Sequence, residues 1–60
     1  MNEYEIKEEA GALLGAGWTS AERDEIIRAH QDDIPVEDIN RIVDVMEQME
    51  EEDNGSERSE

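Results

Sequence analysis

Carboxylates are the groups in this chain best placed to do chemistry. Asp32, Asp33, Glu37 and Asp38 gather around one turn, and Asp24, Glu25 and Asp44 lie close by in sequence. Paired carboxylates serve general acid–base catalysis when a desolvated site pushes their pKa values apart. They hold calcium when a loop spaces them around a central glycine. Nothing in the sequence encloses these acids, and that loop spacing is missing. Asp53-Asn54-Gly55-Ser56-Glu57 has the flavour of a calcium loop without its length. His30 is the single histidine, with no nucleophile or second ligand at a recognisable spacing. It reads as a helix C-terminal residue, where an imidazolium suits the dipole. The chain has no cysteine, which removes disulfides, thiolate catalysis and cysteine-based zinc sites. The expectation is a protein that is not an enzyme, with no catalytic residue, cofactor or metal.

What remains is charge. Nineteen acids face five bases over 60 residues, a formal charge of −14. Direct binding to nucleic acid or to an anionic membrane needs clustered lysine and arginine, so neither is expected. The charge is divided along the chain. Residues 50–60 hold six acids and one arginine, net −5, with no apolar residue. Residues 1–49 hold thirteen acids and four bases, net −9. The first group reads as a frayed helix end and a disordered acidic tail over 51–60. The second sits on a segment that folds.

Three helices are expected to carry those charges, about 3–16, 20–31 and 35–50, in one small all-α domain spanning 1–49. Ile6, Ala10, Leu13 and Leu14 form a stripe at helical spacing. Gly11 offers another helix a point of close approach, and Gly15 and Gly17 give the freedom a C-terminal cap needs. Thr19-Ser20-Ala21-Glu22 fits a capping box, with Thr19 as N-cap and Ser20 as its competitor. Ile26, Ile27 and Ala29 supply the next apolar face, and Asp24 precedes Arg28 in the favourable i, i+4 order. Pro35 suits the first position of the third helix, with Asp33 as a cap for the turn before it. Val36, Ile39, Val43, Met46 and Glu50 continue a stripe flanked by Ile42, Val45 and Met49. That apolar surface is wide enough for a core and a partner, including a homodimer through helix 3.

Leu13-Leu14-Gly15-Ala16-Gly17-Trp18-Thr19, Ile26-Ile27-Arg28-Ala29 and Val36-Glu37-Asp38-Ile39 together resemble a ubiquitin-associated (UBA-like) domain, over roughly residues 9–46. The resemblance implies a three-helix bundle. Gly17-Trp18 would stand for the family's glycine–aromatic pair, Ile26-Ile27 for its apolar pair and Ile42-Val43 for its terminal pair. Ala16 stands where that family has methionine, Ile39 replaces an alanine, and the turn through Ile34-Pro35 is about two residues longer. Trp18-Thr19-x-x-Glu22 followed by two helices is also similar to homeodomain-like helix-turn-helix domains. Those read DNA with a basic third helix, whereas Val36 to Met49 carries one Arg41 among several acids.

The functional expectation is a soluble cytoplasmic interaction module that binds a basic partner protein. Trp18 is its expected anchor, and Asp24, Glu25, Asp32, Asp33, Glu37, Asp38 and Asp44 are its charged face. Two further readings fit the same charge. One is a phage-type inhibitor that mimics nucleic acid against a DNA- or RNA-binding protein. The other is an ordinary small helical protein of a halophile.

Overall fold

A computed structural model describes the backbone of residues 1–58 and the side chains of residues 1–52. The chain forms α1 (Glu3–Gly15), a 3-10 turn (Ser20–Glu22), α2 (Arg23–His30) and α3 (Val36–Arg58). The expectation of an all-α three-helix fold holds, and among the described residues there is no strand. The expected tail, 51–60, falls mostly outside the described side chains. Glu51 and Glu52, which are described, continue α3.

α1 starts because the Asn2 side chain accepts the Glu5 N–H at 2.8 Å, filling one of the free donors of a first turn. Its far end closes as a Schellman motif. The Trp18 N–H donates to the Leu13 carbonyl at 3.0 Å and the Gly17 N–H to that of Leu14 at 3.1 Å. Gly17 takes φ of +104°, a region that residues with a Cβ rarely visit. Gly15 ends the helix, and only Gly17 uses the freedom expected of the pair.

The capping box forms at Thr19 and Glu22, with the Thr19 N–H donating to Glu22 Oε1 at 2.9 Å. The second helix does not run evenly over 20–31. It enters through the 3-10 turn and becomes α-helical at Arg23. It ends on the His30 carbonyl, which accepts from the Asp33 N–H at 3.0 Å and the Ile34 N–H at 2.8 Å. Pro35 lies just outside α3, its carbonyl accepting from the Asp38 and Ile39 N–H groups. It thus occupies the N-cap place rather than the first helical one.

The core is Ile6, Ala10 and Leu13 from α1, Ile26 from α2, and Ile39, Ile42, Val43 and Met46 from α3. Leu14, Trp18, Ile27, Ile34, Val45 and Met49 pack around it, half-buried. α3 is the central element, against which α1 and α2 both pack. Three expectations are corrected here. Val36 is 43% exposed, while Ile42, expected to flank the stripe, is 1% exposed. The α3 stripe is therefore rotated toward Ile39, Ile42, Val43 and Met46, because it must meet two helices. Ala29 is exposed, so α2 buries Ile26 with Ile27 at its margin. Gly11 faces open space, where an added Cβ would meet nothing within 4 Å, so no helix approaches it.

Candidate binding surface

Two long-range polar ties fix α2 against α3. Arg23 reaches across to α3, donating to Asn40 Oδ1 at 2.8 Å and to Asp44 Oδ1 at 3.1 Å. Asn40 and Asp44 are four apart on one helix face, which lets one guanidinium fork bridge both. At the start of the 3-10 turn, Ser20 donates its N–H and its hydroxyl to the two carboxylate oxygens of Glu50, each at 2.9 Å. Near the other end of α3, the N-terminal amine lies 3.7 Å from Asp38. The chain thus climbs α1 beside α3 from Asp38 toward Glu50, and α2 brings it back down.

These ties divide the seven acids expected to form a charged face. Asp44 is held by Arg23, and Asp38, half-buried, pairs with the N-terminus. Asp24, Glu25, Asp32, Asp33 and Glu37 are exposed, and among the described residues no ion pair holds them. Asp24 and Arg28, expected as a pair, do not form one. Asp32 and Asp33 occupy the α2–α3 turn, and Glu37 the first turn of α3. Trp18 is half-buried against the core and leans on α2, as its place before the cap suggests. With Glu25, Arg28 and Ala29 it lines a shallow depression of about 320 Å³. A second depression, of about 430 Å³, lies between Glu3 and Ile6 of α1 and Arg41, Asp44 and Val45 of α3.

Among the described residues, no polar or charged side chain is buried, and no group of three or more potential metal ligands forms. No helix is long and apolar enough to cross a membrane. Val45 and Met49, which flank the α3 stripe, are half-buried and pack on the core. Sequence reasoning missed Ser20, Asn40 and Glu50 as partners in the ties between helices. They sit 17 and 30 residues from their partners, and no local periodicity pairs them.

No protein-family model matches this chain, and comparisons with curated proteins and with solved structures likewise find no match.

Proposed function

We propose that this chain is a non-enzymatic interaction module, acting in the cytoplasm, whose acidic surface binds a basic partner protein. The observation that carries this reading is the set of exposed carboxylates at Asp24, Glu25, Asp32, Asp33 and Glu37, which form no ion pair with any other described residue of a folded scaffold. A rigid scaffold fixes charges in space, and fixed like charges raise the encounter rate with an oppositely charged surface. Trp18, half-buried beside Glu25, supplies an aromatic contact of the kind that anchors interfaces. Asp38 and Asp44 contribute less, because each already faces a cation.

The test reverses the freest charges. The full chain and its Asp32→Lys, Asp33→Lys variant are used as baits against lysate from the native host. Loss of a basic protein from the variant supports the reading. Equal capture by both overturns it. Displacement of the captured protein by DNA would assign the same surface to nucleic-acid mimicry.

A further inference from the structure

The last core residue of α3 is Met46, and Met49 is half-buried beside it. After Met46 the helix carries Glu47, Glu50, Glu51 and Glu52, of which all but Glu50 are exposed. Glu47 lies three residues before Glu50 and four before Glu51, so both pairs stack like charges on one face, an arrangement that disfavours helix. After Met49 the sequence offers no apolar residue whose packing would oppose this repulsion. What does oppose it is Glu50, whose carboxylate accepts two 2.9 Å bonds from Ser20, thirty residues away.

We propose that the Ser20–Glu50 contact is a latch on a charge-gated helix end. It holds α3 helical through Glu51 and Glu52 against their own repulsion, and cations that screen the repulsion make the latch dispensable. The two effects separate physically. Salt weakens interactions between exposed charges spaced several ångströms apart. It acts far less on part-buried hydrogen bonds at contact distance. The device operates whether or not the acidic surface has a partner.

The experiment measures backbone carbon chemical shifts of Glu51 and Glu52 in the full chain, with Val43 and Met46 reporting that the core is folded. In wild type at low salt, Glu51 and Glu52 should be helical. In Glu50→Ala at low salt their helix-to-coil ratio should fall about threefold, because losing hydrogen bonds to a charged group outweighs the relief of the Glu47–Glu50 pair and the higher helix propensity of alanine. Sodium chloride should restore it, and adding Glu47→Gln to that variant at low salt, which removes the remaining Glu47–Glu51 pair, should recover about twofold. Should Glu50→Ala shift Val43 and Met46 as well, Ser20→Ala is read by the same criteria with a smaller expected loss. Glu51 and Glu52 that stay helical without the latch would overturn the proposal. So would a loss that neither salt nor Glu47→Gln reverses.

Discussion

Ser20 gives both of its donors to one carboxylate: its N–H reaches Glu50 Oε2 and its hydroxyl reaches Glu50 Oε1, each at 2.9 Å. The contact caps the second helical segment from outside, with a group that lies thirty residues further on. It does for Ser20 what Glu22 does for Thr19 within the capping box. Ser20→Ala keeps the backbone bond and loses the other. Denaturant unfolding should show a loss of about 1 kcal/mol for that variant and about 2 kcal/mol for Glu50→Ala. If Glu50→Ala unfolds at the wild-type midpoint, the contact contributes nothing to stability.

The glycines make a pair of opposite predictions. Gly11 sits within α1, exposed, with room for a Cβ. Gly11→Ala should stabilise by about 0.5–1 kcal/mol through backbone entropy alone. Gly17 takes φ of +104°, so Gly17→Ala should cost about 1–2 kcal/mol. Thermal unfolding of the two variants should move the midpoint in opposite directions.

The rotated stripe of α3 separates Ile39 from Val36. Ile39→Ala removes a 1% exposed side chain and should cost about 2–5 kcal/mol. Val36→Ala, at 43% exposure, should stay within about 0.5 kcal/mol. Equal losses in denaturant unfolding would place Val36 in the core and return the stripe to its expected phase.

That phase error shows what the sequence could carry. Local signals were legible where one short stretch decides the outcome. Thr19 and Glu22 are three apart and cap each other, and Gly17 terminates α1 two residues before that cap. Ile6, Ala10 and Leu13 face one partner, and their spacing names them directly. α3 faces two helices at once, so its apolar residues cover a wide arc and periodicity alone does not show which of Val36 and Ile42 is inside. The roles of Glu50 and Arg23 depend on which helix lies opposite. Glu50 stands both at the end of the α3 stripe and at the head of an acidic run, and only Ser20 on the opposite element decides that it is half-buried. Asp38 and Asp44 read as free charges for the same reason.

A core of eight buried apolar residues should suffice to fold the domain without added salt, despite the net −9 on residues 1–49. Trp18 emission reports this, since the ring packs on that core. Its spectrum in dilute buffer should match that in molar salt. Emission that becomes native only in molar salt would assign the acids to life in a salty cytoplasm instead of to a partner.

The central claim is that the free carboxylates at the α2–α3 turn recruit a basic partner. Its most direct test is the dissociation constant of the complex with the captured protein, measured for wild type and for Asp32→Lys, Asp33→Lys across a range of salt. Wild type should weaken steadily as salt rises, mainly through slower association. The variant should bind more weakly at low salt and show a flatter dependence. Affinities that ignore both salt and charge reversal would contradict the account.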